Sequence, residues 1–225
     1  MIGRPSSLCQ LATDFTGTLP SGGAMVERKW DGWRAIYLPD HTGRKRLFTR
    51  NGMAIEGVEH ILYQLARMEK AAGVPTVFDG EFVVGDSLAM TKAWCERGWK
   101  GGGTAGMLHV FDCLPYAQWE RGGSSKPLIE RKADLRECAG IAGADSWEWR
   151  PRSYGADEGA PAVRVVEDGW AFDAQDVLTE AQRVWSAGGE GVMAKNAEAP
   201  YCRNRNGSWL KVKHENAHRW MRQAA

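Results

Sequence analysis

A membrane-spanning helix needs about 20 consecutive apolar residues. This sequence has no uninterrupted apolar stretch approaching that, and its mean hydropathy is −0.44, so a helical membrane span is excluded. From Met1 to Pro20, Arg4, Ser6, Gln10, Thr13 and Asp14 interrupt the apolar residues, leaving no hydrophobic core for a signal peptide. Cysteine is sparse. There are five (Cys9, Cys95, Cys113, Cys138 and Cys202), an odd number with no C-x-x-C pair. That excludes the familiar zinc spacings and a disulfide framework, and points to free thiols in a reducing, cytoplasmic compartment. Net charge is nearly absent as well: 29 Lys+Arg against 28 Asp+Glu gives +1, so no global field draws the chain to nucleic acid. Internal repeats are missing. The echo of Cys95-Glu-Arg-Gly98 in Trp119-Glu-Arg-Gly122 is too short to be one.

What is present reads as an ordinary globular protein. Its 225 residues are 43% hydrophobic and 25% charged, enough to bury about 70% of the surface the unfolded chain exposes. Charge is uneven locally. Arg203, Arg205, Lys211, Lys213, Arg219 and Arg222 face Glu215 alone near the end, and Arg44, Lys45, Arg46 and Arg50 form a second cluster. A neutral protein can carry a basic face in this way. The eleven tryptophans read mostly as core, with some able to stack on bases.

Apolar periodicity predicts helices over 57–73, 88–97, 127–139 and 172–187. Strands are expected over 25–38, 47–50, 76–84, 107–113, 162–167, 190–195 and 208–214. Gly101-Gly102-Gly103, Gly122-Gly123-Ser124-Ser125 and the polar run 145–161 read as loops. Strands mixed irregularly with helices indicate an α+β fold, with antiparallel sheets partly covered by helices.

The strongest chemical signal is Lys29-Trp-Asp31-Gly32-Trp-Arg34. A lysine, an acid and an arginine surround a glycine in the middle of an apolar run. On an extended strand Lys29 and Asp31 share a face, and Gly32 allows a kink or a close approach. A lysine whose pKa is lowered by desolvation or nearby cations becomes a nucleophile. Taken singly, the other candidates look unremarkable. Glu81 and Glu190 read as half-exposed strand acids and Phe111 as core. Lys211 and Lys213 alternate like a solvated strand face, and Arg50 merely flanks an Asn-Gly turn.

Their order changes the reading. Lys29-x-Asp31-Gly32-x-Arg34 resembles the nucleotidyltransferase motif I of ATP-dependent DNA ligases, whose superfamily includes RNA ligases and mRNA capping enzymes. Arg50-Asn51-Gly52 resembles the element that follows it. Phe78-Asp79-Gly80-Glu81 resembles motif III, and Val110-Phe111-Asp112 motif IIIa. Glu190-Gly191-Val192-Met193-Ala194-Lys195 resembles motif IV, and Trp209-Leu210-Lys211-Val212-Lys213 motif V. The matches run through most of the chain in the family's order. One departure lies between motifs IV and V, where Arg203-Asn-Arg205-Asn-Gly207 stands in place of a glycine-arginine step.

The resemblance implies an α+β nucleotidyltransferase domain (ATP-grasp-like) with two antiparallel sheets flanked by helices around an ATP cleft. It implies that Lys29 takes AMP as a phosphoramidate and that Asp31 serves the later, nick-dependent steps. Arg34, Lys211 and Lys213 would steady phosphate charge, and Lys195 would face the phosphates. Glu27 would approach the adenine amino group, Phe111 would stack on adenine, and Arg50 would join the nucleotide site. Glu81 and Glu190 would hold Mg²⁺ or Mn²⁺, which prefer hard oxygen ligands. The expected reaction is ATP-dependent sealing of nicked duplex DNA, as in DNA repair, replication and recombination.

In the family an OB-fold domain follows motif V, and too few residues follow Lys213 here to build that barrel. A single adenylation domain over residues 1–225 is therefore expected, without an OB-fold after motif V and without the extra segment of NAD⁺-using relatives. Three readings of that length stand: a minimal, phage-encoded ligase, an enzyme given its clamp or OB-fold in trans, or an excised domain. A monomer is expected, and Arg203, Arg205, Arg219 and Arg222 are the candidates for DNA phosphates. RNA ligation, a capping-type reaction and non-sealing recognition of nicks or ends are the alternatives.

Overall fold

In the computed structural model, residues 7–85, 87–101, 106–143 and 162–221 are described. The strands are β1 (Leu11–Asp14), β2 (Ala24–Lys29), β3 (Trp33–Pro39), β4 (Lys45–Thr49), β5 (Ala54–Ile55), β6 (Thr76–Val83), β7 (Met107–Pro115), β8 (Gly123–Ser124), β9 (Val163–Val165), β10 (Asp168–Ala171), β11 (Gly191–Lys195), β12 (Tyr201–Cys202) and β13 (Arg205–Lys213). The helices are α1 (Glu59–Ala72), α2 (Leu88–Glu96), α3 (Tyr116–Glu120), α4 (Leu128–Ala142), α5 (Ala174–Ser186) and α6 (His214–Met221), with a 3₁₀ turn at Gly98–Gly101. Among the described residues no helix is long and apolar enough to cross a membrane.

Two sheets carry the architecture. One has five strands in the order β1-β13-β11-β2-β10, the other six in the order β5-β4-β3-β6-β7-β9, and β12 pairs with β8 apart from both. The expected α+β class holds, but the sheets are not purely antiparallel. β1 runs parallel to β13, and β9 parallel to β7. Both are edge pairs joined by long connections, the situation in which parallel pairing is sterically open.

The predicted strand over 25–38 is two strands in different sheets. β2 pairs with β10 and β11, whereas β3 pairs with β4 and β6. The chain changes sheets across Trp30-Asp31-Gly32, so Lys29 and Asp31 do not share a strand face. A Cβ on Gly32 would lie 2.2 Å from the Phe82 carbonyl oxygen, a close approach that glycine alone tolerates.

The helices follow their apolar stripes. α1 buries Ile61, Leu65 and Met68 and ends at Gly73 in the left-handed conformation (φ 71°), whose N–H returns to the Lys70 carbonyl. α5 buries Val177, Leu178, Ala181 and Val184, and its Asp173 cap accepts the Asp176 N–H at 2.8 Å. α4 runs three residues beyond its expected end, to Ala142. The loop expected at 122–125 contains β8, and the expected loop at 145–161 lies outside the described residues.

Packing divides into layers. α1 and α4 cover the six-stranded sheet around Leu65, Phe78, Leu108 and Leu135. α5 and α6 cover the five-stranded sheet around Val26, Val184, Val192 and Trp220. Between the facing sheets lies a third cluster, with Ile36, Val77, Phe111, Tyr201 and Trp209. Each such large apolar side chain contributes about 1.5–3 kcal/mol by leaving water. The helices hold the sheets from outside, and one end of the gap between them stays open.

Candidate active site

That open end is a cleft of about 540 Å³ lined by Glu27, Lys29, Arg34, Arg50, Glu81, Phe111, Lys195, Arg205, Lys211 and Lys213, together with Arg28, Trp30, Met193 and Trp209. Its size suits a nucleotide. Strand register explains the gathering. Across the five-stranded sheet, Glu27, Met193 and Lys211 form one row, and Lys29, Gly191 and Lys213 the next. Because side chains alternate along a strand, these rows share a face, and that face is the floor of the cleft. In the opposite sheet Arg34 pairs with Glu81, and the turn after β4 brings in Arg50 and Asn51.

Lys29 ends β2. Its Nζ lies 2.5 Å from Glu190 Oε2, while Lys213 binds the other oxygen of that carboxylate. Glu190 thus bridges two ammonium groups. Glu81 faces this cluster and accepts the Gly32 N–H. Burial is the largest influence on its carboxyl, pushing it up to about 7 against the pull of Arg34 and Lys29, with Glu190 adding to the rise. Lys211 pairs with Asp14 at 3.2 Å. Asp31 is not part of the lining, but its charge acts on Lys213.

Two expected phosphate contacts are otherwise engaged. The Arg34 guanidinium forks onto Asp79 at 2.5 and 2.6 Å and lies 4.6 Å over the Phe111 ring. Asp79 is itself fixed by the Tyr201 hydroxyl, which donates to it at 2.5 Å. Lys195 is buried, pairs with Glu27, and stands 4.2 Å over Phe111 and 4.1 Å over Trp209. Burial, reinforced by Lys132, lowers its ammonium pKa to about 8 against the attraction of Glu27. Lys195 therefore belongs to the aromatic, Glu27 end of the cleft.

Of the basic candidates for DNA, Arg205 lines the cleft and also donates to the Ala12 carbonyl. Arg203 does not join the lining. It donates to the Ser7 and Trp119 carbonyls at 3.0 and 3.1 Å and stacks 3.8 Å over Trp119. It ties the segment before β1 to α3. Arg222 and the side chain of Arg219 lie outside the described residues.

Sequence reasoning missed several residues in and behind the site. Trp30 stacks on His109 at 3.5 Å, and the Arg28 guanidinium lies 4.1 Å from the Trp30 ring centre. Burial, with Arg164 and Arg28 nearby, holds the His109 pKa down near 3, so its ring is neutral at pH 7. Arg131 and Lys132, both buried, were missed too. Arg131 grips Asp112 at 2.8 and 2.9 Å, and Lys132 reaches Glu27. A signal existed: the pair occupies the apolar stripe of α4 between Leu128 and Leu135. Among the described residues no group of three or more His, Cys, Asp or Glu gathers as for a metal ion.

A family model described as the ATP dependent DNA ligase domain matches residues 7–213. The chain belongs to this family. DNA ligases of Haloferax volcanii and Natronomonas pharaonis are each 29% identical to it, over 94% and 95% of this chain but 34% and 36% of their own length. The chain therefore spans about a third of the curated relatives it matches. The ATP-dependent DNA ligase of bacteriophage T7, solved with ATP, superposes with a TM-score of 0.70 at 16% identity, covering 92% of this chain and 69% of that one. At that identity the likeness speaks for the shared ligase fold.

Proposed function

We propose that this chain is the adenylation domain of an ATP-dependent DNA ligase and that Lys29 is its nucleophile. The observation that carries the reading is the position of Lys29: at the crossover between two sheets, in a nucleotide-sized cleft, 2.5 Å from Glu190. An amine must shed its proton to attack phosphorus. The Glu190 carboxylate is within reach of that proton, and Lys213 and Lys211 line the same floor, where cations offset phosphate charge. Attack of Nζ on the α-phosphorus of ATP forms the N–P bond and breaks the bond to pyrophosphate, leaving lysyl-AMP. AMP then passes to the 5′-phosphate of a nick, and attack by the neighbouring 3′-hydroxyl releases it.

Phe111, Trp209 and Glu27 suit the base end of the nucleotide, and Arg34, held rigid by Asp79, borders it. Glu81 and Glu190 supply the oxygen donors that fit Mg²⁺, an ion commonly held by one or two carboxylates plus phosphate oxygens. When bound, the ion would supply charge neutralisation at the phosphates. Glu81 is the freer ligand, because Glu190 already bridges Lys29 and Lys213. Nicked duplex DNA is the proposed substrate, with an OB-fold or clamp in trans or elsewhere in a longer protein as the partner for sealing.

A denaturing gel of a labelled nicked duplex incubated with ATP and Mg²⁺ tests this. Joined strand is expected if one domain performs all the steps, and AMP-capped strand if a partner is needed. Protein that takes no label from ATP, with every strand untouched, would overturn the reading. A parallel nick in RNA distinguishes the RNA-joining alternative.

A further inference from the structure

Beneath the aromatic end of the cleft lies a buried ionic network that the adenylation chemistry does not use. Lys132, on α4, has a fully buried side chain and is absent from the cleft lining. Its ammonium meets three acceptors: Glu27 Oε2 at 2.6 Å, Asp168 Oδ2 at 3.3 Å and the Val166 carbonyl at 3.4 Å. Glu27 and Val166 accept hydrogen bonds from it, and Asp168 adds a second negative charge as an ion pair. Lys195 takes the other oxygen of Glu27. Each Glu27 oxygen therefore holds one lysine, and a carboxylate with about four lone-pair sites retains acceptor capacity toward the cleft it lines.

Resting on the reading of the cleft as an ATP site, we propose that Lys132 is a positioning residue for base selection. It fixes Glu27 as an ionised, acceptor-only group, so that the pocket favours a purine bearing an amino donor on its six-membered ring. A carboxylate oxygen there accepts from that amine and repels a carbonyl at the same place, while Lys195 holds the other oxygen. The alternative role is plain adhesion, with the network gluing α4 to the five-stranded sheet and base choice unaffected. Loss of Lys132 should alter the chemistry of Glu27 without removing any group that lines the cleft, so discrimination is the quantity that separates the two roles.

The test compares transfer of labelled nucleotide to Lys29 from ATP, GTP and purine riboside triphosphate, which lacks the 6-amino group. In Lys132→Met the advantage of ATP over purine riboside triphosphate in kcat/KM is expected to fall about tenfold, a loss of the order of one good hydrogen bond to a charged group. Labelling by purine riboside triphosphate itself should stay near the wild-type level. Glu27→Gln should lose the same discrimination, and the double variant should lose no more than Glu27→Gln alone. Lys132→Arg should restore part of it. Lys132→Gln, which keeps a donor but drops the charge, serves if the methionine variant does not fold, and the same loss is expected. A uniform fall for all three nucleotides, or unchanged discrimination in folded Lys132 variants, overturns the inference while leaving the adenylation reading standing. A wild-type chain that no nucleotide labels overturns both.

Discussion

Lys29 and Glu190 form a pair that is less than a quarter exposed. Exposed or partly exposed pairs of this kind contribute about 0–1 kcal/mol to stability, so the proposed nucleophile can be removed at little expense to the fold. Lys29→Ala should therefore abolish AMP attachment while shifting the melting temperature by about a few degrees at most; radiolabelled ATP and a thermal scan check the two halves. Glu81 behaves differently. Its carboxyl sits near 7 in the fold against an ordinary 4.5. Between those values the folded chain binds a proton that the unfolded chain has released, so stability falls as pH rises through that window. Glu81→Gln should flatten this slope in urea titrations of the metal-free protein between about pH 5 and pH 7. The motifs made Lys29, Glu81 and Glu190 legible as residues. They did not reveal that Arg34 spends its fork on Asp79, or that Lys195 is buried beside Glu27, because such pairings depend on which strands adjoin.

The β2–β3 crossover is the element that sequence periodicity misread. A run of mixed apolar and charged residues without a turn signal resembles one strand, and alternation carries no mark of a change of sheet. Gly32 held the clue, since its lack of a side chain is what lets the crossover pass under β6. Gly32→Ala places a Cβ 2.2 Å from the Phe82 carbonyl. It should cost about 1–3 kcal/mol, as other forced overpacking does, and displace Lys29 from Glu190. Urea denaturation should show the first effect, and a loss of AMP attachment beyond that expected from the unfolded fraction the second. The long helices were legible because each has a stripe and an end signal, as Gly73 provides for α1. The short strands β8, β10 and β12 were not. Segments of two to four residues carry no readable period, and their pairing is imposed by what they pack beside. α4 was read as a helix, but nothing in its periodicity showed that Asp112 and Glu27 are the acids against which Arg131 and Lys132 are buried.

At the scale of the molecule, net charge gave no hint of a DNA partner, and the basic residues proved not to be one class. Arg203→Ala should lower the melting temperature, because it removes the tie from the Ser7 carbonyl to α3 and the stack on Trp119. Arg205→Ala should leave the fold intact and reduce the salt dependence of nicked-duplex binding by roughly one counterion. Equal salt slopes for the two variants would remove Arg205 from the DNA face. The α+β class was legible from the mixture of elements. The parallel edge pairs were not, since they join distant segments.

The pairing of β2 with β11 also bears on how the chain acquires its reactivity. Lys29 and Glu190 are separated by 161 positions, and the cleft floor is assembled from both ends of the sequence. Contacts of such long range form slowly, because loop closure must precede any gain from them. A nascent chain that has not yet emerged as far as β11 and β13 holds Lys29 on a sheet without its floor. The proposed adenylation site is thus among the last features the folding chain completes, and a nucleotide that bound only the assembled cleft would draw late intermediates toward the finished fold.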